Sequence, residues 1–585
     1  YTDLISRSLE LNGQVWAQQV QATLGTNTVS ADHTQVAAQA SDGATPQFAL
    51  DASALGGMYA NKITLLGTEH GVGVRNAGTI GAQAGELTVT ADGRLENTGK
   101  LQAQANTRID MNGGVANAGL ISAGREAVIT TGADVDNSGG TLNAQRIQAN
   151  AVALTNRGGT IEQTGLQGLA LNAHSVTNRD GGRIGLAEPI ASGGDTGGSS
   201  GGGTGSETGG STGGPTGGDT GGEAVVLPTP EPLSDGALSI SGTLNNDGGK
   251  INAGGGVQLN SATGIDNSGG HLGLGQLAIN QGDLFNDGGE LTVTGDTRIH
   301  ASRIGNDAGR FEVGGVLDLD AQTISNRSGT ISHSGSTDAR IHAGTFDNTE
   351  GTLATNANAL DVSGDVVVNE RGRIEHSGTG GMKLQANTLN AADGAIVTNG
   401  AANLALGNAD HRGGMLSATQ LNLGANSFDN RGGNIVATSA DANTLTVAGT
   451  LDNGDDGSIA SNGDLTITAG SLGNADGTVQ QAGTGSLAIN ATTLEGTGGT
   501  LASNGALSIT GNTTNLRDGT TVAQRIAVDT GRLTTAGGTL TAGSTDALAI
   551  TARDSLDNTA GTIATNGVAQ LSAGSLTNTD GTISA

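Results

Sequence analysis

The sequence predicts an all-β solenoid, a chain wound into coils of about twenty residues that stack into a rod. Three observations lead there. First, a unit recurs around a fixed asparagine: Val135-Asp136-Asn137-Ser138-Gly139-Gly140-Thr141-Leu142 returns as Leu154-Thr155-Asn156-Arg157-Gly158-Gly159-Thr160-Ile161, as Ile265-Asp266-Asn267-Ser268-Gly269-Gly270-His271-Leu272 and as Phe428-Asp429-Asn430-Arg431-Gly432-Gly433-Asn434-Ile435. Second, apolar residues alternate within the fuller unit, as in Leu465-x-Ile467-x-Ala469 followed by Leu472, Asn474, Gly477 and Val479. A period of two belongs to strands with one face inward. Third, glycine is 103 of 585 residues, a density that breaks helices.

Residues 1–72 alternate like strands at Leu9, Leu11, Val15, Val20 and Leu24, with turns at Asn12-Gly13 and Gly25. They carry much of the aromatic content (Tyr1, Trp16, Phe48, Tyr59) and copy the repeat poorly. This segment is either a more globular piece or the atypical end of the solenoid. Regular coils follow over 73–190, marked by Asn76, Asn97, Asn117, Asn137, Asn156 and Asn178. Over 191–235 the pattern stops in a Gly/Ser/Thr tract that closes with Pro228-Thr229-Pro230-Glu231-Pro232. With almost no apolar residues this tract cannot offset the entropy of ordering and is expected to be a disordered linker. Its ends, near Gly185 and Gly236, lie close together if it leaves and rejoins one rod, and apart if it is a hinge between two.

Coils resume over 236–585. Asn246, Asn267, Asn286, Asn306, Asn326, Asn348, Asn369, Asn430, Asn453, Asn474, Asn558 and Asn578 keep the register, which lapses at Ala391, Gly496 and Thr535. Each coil is expected to hold about three short strands. Roughly 25 coils at about 4.8 Å give a rod on the order of 120 Å. The asparagines are expected to stack as a structural amide ladder. The glycines after them (Gly139, Gly140, Gly158, Gly159, Gly269, Gly270, Gly432, Gly433) permit the turn, including its positive φ.

Composition narrows the function. The net charge is -29, with only 26 Lys and Arg, which suits solubility and mutual repulsion of rods and disfavours nucleic acid or an anionic membrane. There is no cysteine, which fits a chain threaded unfolded through a pore. No stretch is long and apolar enough to span a bilayer. The chain opens at Tyr1 without Met and closes just after a turn, so a longer natural protein is expected around it.

Catalytic chemistry is hard to find. The nine histidines, His33, His70, His174, His271, His300, His333, His342, His376 and His411, are scattered without metal-ligand spacing and read as solvated. Asp455-Asp456 sits in a turn between Gly454 and Gly457, where acidic residues are ordinary. Aromatics are 1% of the chain, too few for the platforms of a polysaccharide-active β-helix. A threonine ladder (Thr141, Thr160, Thr330, Thr352, Thr562, Thr582) suggests an ice-binding face, but Arg183, Lys250, Glu290 and Arg310 interrupt the same slot. No catalytic residue, metal ligand or cofactor is expected.

One stretch is more specific. Phe48-Ala49-Leu50-Asp51-Ala52-Ser53-Ala54-Leu55-Gly56-Gly57-Met58-Tyr59-Ala60-Asn61-Lys62-Ile63, followed by Leu66-Gly67-Thr68-Glu69-His70-Gly71-Val72-Gly73-Val74-Arg75-Asn76, resembles the close of the secretion domain in two-partner-secretion exoproteins. These are the filamentous haemagglutinin adhesins and the contact-dependent growth-inhibition exoproteins. The later repeats resemble filamentous-haemagglutinin repeats. The resemblance implies a right-handed parallel β-helix, export through an outer-membrane transporter of the Omp85 type, and a secreted or surface location on a Gram-negative bacterium. It also implies a receptor on a host or neighbouring cell. The early transporter-engaging Asn-Pro motifs and the distal receptor-binding or toxin regions of that family are absent from this sequence. The expected function is the shaft of an adhesin or toxin-delivery exoprotein; the alternatives are a polysaccharide-active enzyme and a passive calcium-binding scaffold.

Overall fold

A computed structural model describes residues 1–41, 43–165, 168–186, 237–253, 258–261 and 263–585. It is an all-β parallel solenoid of about 25 turns. One coil shows the plan. Thr141–Ala144, Arg146–Asn150 and Ala153–Thr155 are successive strands. They pair in parallel with Thr160–Gln163, Leu169–Ala173 and Ser175–Thr177 of the next coil, in the registers Leu142↔Ile161, Ala149↔Leu171 and Leu154↔Val176. The alternation places one side chain in two inward, so like residues stack in columns and form a narrow continuous core. Leu465, Ile467, Leu472 and Val479 are at most 1% exposed. The large side chains Phe311, Phe346 and Phe428 are buried in the same core.

The expectation of three short strands per coil holds only upstream. From Thr297 to Asp557 two or more of them merge into one bent strand, nine residues long in Thr297–Gly305 and in Leu317–Ser325. The cause lies at one corner. Upstream, Gln281-Gly282 bends the chain there. Downstream, the corner stays in the ladder, with Ala301 opposite Ala321 and Arg303 opposite Thr323.

Residues 1–72 form the atypical end of the solenoid. Leu9–Leu11, Gln14–Trp16 and Gln19–Leu24 stack on Phe48–Ala52, Gly57–Ala60 and Lys62–Gly67. Between these coils the chain makes a hairpin outside the solenoid, Asn27–Val29 against Val36–Ala38, the one antiparallel pair among the described residues. Arg7 holds Glu69 at 2.8 Å and the carbonyl of Gly43 at 3.3 Å, tying the loop beyond the hairpin to the coils. Trp16 stacks on Tyr59 of the next coil at 4.4 Å between ring centroids.

The linker expected over 191–235 lies outside the described residues. The coils on its two sides are direct neighbours: Leu171 pairs with Leu238, Val176 with Leu244 and Ile184 with Ile251. The stack is therefore continuous from one side to the other.

The two turn glycines answer to different constraints. Gly139 has φ 68°, a conformation that costs a side chain. Its slot nonetheless accepts Asp180, Ser328, Glu350 and Asp476 at φ between 51° and 56°. Gly140 is held by space: a Cβ there would lie 2.0 Å from the carbonyl oxygen of Asn117 in the preceding coil. The equivalent glycines 270, 351 and 477 face the same carbonyl at 2.2, 2.0 and 1.9 Å. Gly140→Ala is expected to destabilise its coil by the upper end of roughly 1–3 kcal/mol. Gly139→Asp should cost about 1 kcal/mol. Hydrogen exchange over residues 115–145 in the two variants measures the difference, and equal effects would contradict it.

Candidate functional site

The buried polar column at the turn is the most ordered constellation in the molecule. From Asn76 to Asn369 its members are at most 3% exposed. Each amide nitrogen donates to the amide oxygen of the next coil at 2.7–2.8 Å: Asn76 to Asn97, Asn97 to Asn117, Asn117 to Asn137, Asn137 to Asn156, Asn156 to Asn178, and Asn178 to Asn246. The chain of bonds continues through Asn267, Asn286, Asn306, Asn326, Asn348 and Asn369. The same nitrogen also serves the turn carbonyl of its own coil and a backbone carbonyl of the next. Asn267 Nδ2 reaches Asn286 Oδ1 at 2.7 Å, Glu290 O at 3.0 Å and Gly270 O at 3.4 Å. Unpaired, these groups would each carry the penalty of a buried polar atom.

Beyond Asn369 the column is interrupted and repaired. Ala391 offers no amide. His411 takes the next slot and bonds Asn430 Oδ1 through Nδ1 at 2.7 Å. Asn430, Asn453 and Asn474 resume the run at 2.7–2.8 Å. Gly496 and Leu516 follow, Leu516 only 4% exposed. Thr535 then donates its hydroxyl to Asn558 Oδ1 at 2.7 Å, and Asn558 donates to Asn578 at 2.5 Å. Asn578 is exposed. Sequence spacing alone did not assign the slots of His411 and Leu516, because neither residue type resembles the ladder amide.

The expectation that the histidines are solvated fails at three of them. His333, His376 and His411 are 1–2% exposed. His333 and His376 occupy a second inward column, at the end of the strands Thr330–His333 and Arg373–His376, where other coils place Val313, Ala418 or Ala437. An imidazole fits there because backbone and threonine groups satisfy both ring nitrogens. His376 Nε2 meets Ala357 O at 2.9 Å and Nδ1 meets Thr398 Oγ1 at 2.8 Å. Burial pushes His333 and His411 below the ordinary histidine value.

The exterior carries ion pairs. Alternating charges face one another across coils, with Arg340 3.1 Å from Asp318 and Lys383 3.4 Å from Asp361. Asp455 and Asp456 lie in the turn at φ 51° and 65°. Among the described residues no three His, Cys, Asp or Glu side chains come together as a metal site. A shallow groove of about 620 Å³ runs along one corner past His342, Gly364, Asp365, Lys383, Ala386 and Gly407. Its lone carboxylate faces no second one, and no aromatic lines it. Among the described residues no helix is long and apolar enough to cross a membrane.

Asn267→Leu should fit sterically, as Leu516 does, but leaves Asn286 Oδ1 without its donor. We expect a local cost of about 1–3 kcal/mol. It should appear in hydrogen exchange of the coils around residues 246–290 and leave residues 440–560 unchanged. Loss of protection along the whole rod would contradict it.

Comparison with known proteins agrees with this architecture. Residues 1–97 match the TPS secretion domain. The haemagglutinin repeat matches at 82–167, 233–307, 377–455, 438–488, 482–560 and 543–585. A 122-residue stretch is 45% identical to a protein named Toxin CdiA from Yersinia pestis, covering 21% of this chain and 4% of that protein. A tRNA nuclease CdiA-2 from Burkholderia pseudomallei (strain 1026b) is 43% identical over 101 residues, 17% of this chain and 3% of its own length. A tRNA nuclease CdiA from Escherichia coli (strain NC101) is 37% identical over 132 residues, 23% of this chain and 4% of its own length. The chain thus spans a small fraction of the curated relatives it matches. No solved structure matches it significantly. The haemagglutinin repeats cover more than half of the sequence, and the chain belongs to the haemagglutinin-repeat exoproteins of two-partner secretion.

Proposed function

We propose that this chain is the shaft of a secreted, surface-displayed exoprotein of a Gram-negative bacterium, carrying a distal adhesive or toxin region away from the cell. The observation that supports it most is the continuous stack of coils, held by buried backbone and amide bonds. In this reading residues 1–72 close the secretion domain, 73–190 and 236–585 are shaft, and 191–235 is a linker between the two runs of coils. The secretion-domain match supports an Omp85-type transporter as the export partner. A receptor on a host cell or neighbouring bacterium is the partner of the distal region. Nuclease activity belongs to the named relatives, and no step of it is placed on these residues.

A shaft acts through length, and its coils are interchangeable. Removing whole coils, from Asn430 to just before Asn453 or from Asn267 to just before Asn306, keeps the amide column in register. In the full-length protein displayed on cells, such deletions should preserve export and display, while target-cell contact falls stepwise as the rod shortens. Contact unaffected by removal of several coils, but abolished by a point change on the rod surface, would replace the shaft reading with a binding-site reading.

A further inference from the structure

Among the described residues, the buried side chains that titrate are His333, His376 and His411. They fall in one stretch of the rod. His333, Thr355, His376 and Thr398 follow one another in register along a corner column. His411 lies in the amide column of the coil that follows the one holding Thr398. The amide column is itself broken just there, since Ala391 leaves Asn369 without an amide in the next coil.

The hydrogen-bond partners at His333 and His411 suit a neutral ring. A carbonyl only accepts, so His376 Nε2 carries the proton it gives to Ala357 O at 2.9 Å. Its Nδ1 then accepts the Thr398 hydroxyl at 2.8 Å, and Thr398 Oγ1 accepts the N–H of Gly400 at 3.0 Å. His333 repeats the arrangement, with Nε2 on Gly315 O at 2.5 Å, Nδ1 on the Thr355 hydroxyl at 2.8 Å, and Thr355 Oγ1 on the N–H of Ala357 at 3.0 Å. His411 is the other tautomer. Asn430 Nδ2 is engaged with Asn453, so Asn430 Oδ1 accepts and His411 Nδ1 donates. The Nε2 of His411 is buried with no hydrogen-bond partner. A second proton at His333 would force the Thr355 hydroxyl to turn away from Nδ1, and at His411 it would add a charge that burial disfavours more than Asn430, the Met415 backbone and Asp410 favour it.

The charged groups on the surrounding strands give little compensation. Arg310 pairs with Glu312, and Arg373 holds Glu375 at 2.9 Å, all on the outer face. Asp338 bonds Asn358 at 3.0 Å. Asp410, beside His411, favours the cation but is engaged by Arg412 at 2.6 Å, and Asp429 is engaged by Arg431 at 2.7 Å. Burial outweighs these at His411, as it outweighs the Gly315 carbonyl at His333, and both rings are held below the ordinary value.

We propose that the coils from Asn326 to Asn430 form an acid-labile joint, closed with the rest of the rod at neutral pH and the first stretch to open when His333 and His411 take up protons. The sign follows from linkage. Opened coils expose histidines that titrate near 6.5, above the closed-state values of His333 and His411. Their contribution to stability is complete above about pH 6.5 and is lost progressively as pH falls from there toward the lowered values. An acid surrounding therefore gives the rod a single flexion point.

Hydrogen exchange of the full chain at pH 7.5 and 5.5, corrected for intrinsic exchange, tests this. At pH 5.5 a ring that stays neutral in the closed coils and titrates near 6.5 in the opened ones raises the opening equilibrium by up to about tenfold. Peptides from 326–430 should open several-fold more at pH 5.5 than at pH 7.5, while peptides from 440–560 keep their protection. The variant His333→Val, His376→Ala, His411→Asn uses residues found elsewhere in the same columns and should remove the difference. Unchanged protection of 326–430 in the native chain at pH 5.5 would overturn the proposal. So would uniform loosening of every coil, which points to carboxylates, or equal loosening in the folded variant. If circular dichroism at pH 7.5 shows the variant unfolded, the comparison of the two segments in the native chain decides alone.

Discussion

Adjacent coils lie one strand spacing apart, about 4.8 Å, and that distance governs the rest of the molecule. At the turn it brings the carbonyl of one coil so close to the next that a Cβ at Gly140, Gly351 or Gly477 would stand about 2 Å from it. The same closeness lets a side chain as short as asparagine reach its equivalent in the next coil and serve two backbone carbonyls besides. Glycine makes the approach possible, and the amide satisfies the polar groups that the approach buries. The narrow core follows from both: columns of Leu, Ile, Val and Ala fill a cross-section too small for many aromatics.

Such a structure tolerates faults because its energy is summed over neighbours. Ala391, Gly496 and Leu516 each remove an amide, yet the strands on either side keep their register, as Ile374 to Ile396 and Ile396 to Leu416 do. Thr535 repairs part of the loss with a hydroxyl. A fault therefore lowers stability over a coil or two, and the rod can contain places that open more easily than the rest. His376 and His411 flank such a place, the break in the amide column at Ala391.

The fold was legible because its signals are periodic. The recurrent asparagine, the alternation of Leu465, Ile467 and Ala469 and the paired glycines each repeat often enough to outweigh local ambiguity. What escaped depends on single coils. The left-handed turn slot and the sterically closed slot look alike in Gly139-Gly140, and only coils such as the one with Asp180 or Glu350 separate them. The burial of His333 and His376 was hidden because histidine suggests solvent by type, while the column places it where Val313 stands in the preceding coil. The merging of two strands downstream of Thr297 depends on a corner whose residues, Ala301-Ser302, carry no turn signal of their own.

The coil also explains how the stack stays continuous between residues far apart in sequence. Ordinary ladder neighbours are 19–23 residues apart, as Asn137 and Asn156 or Asn430 and Asn453 are, yet Asn178 bonds Asn246 across 68 residues at 2.8 Å. The hairpin between Gln19–Leu24 and Phe48–Ala52 does the same on a smaller scale. Closing a longer loop costs only about 0.6 kcal/mol for each doubling of its length. The strand pairs and amide bonds recovered on return are those of any other coil. Insertions at the coil boundary therefore leave the reach of the shaft and the register of its core intact. Sequence can be added to the outside of such a rod, one boundary at a time, while the inside is bound by an approach of 2 Å between a glycine and a carbonyl.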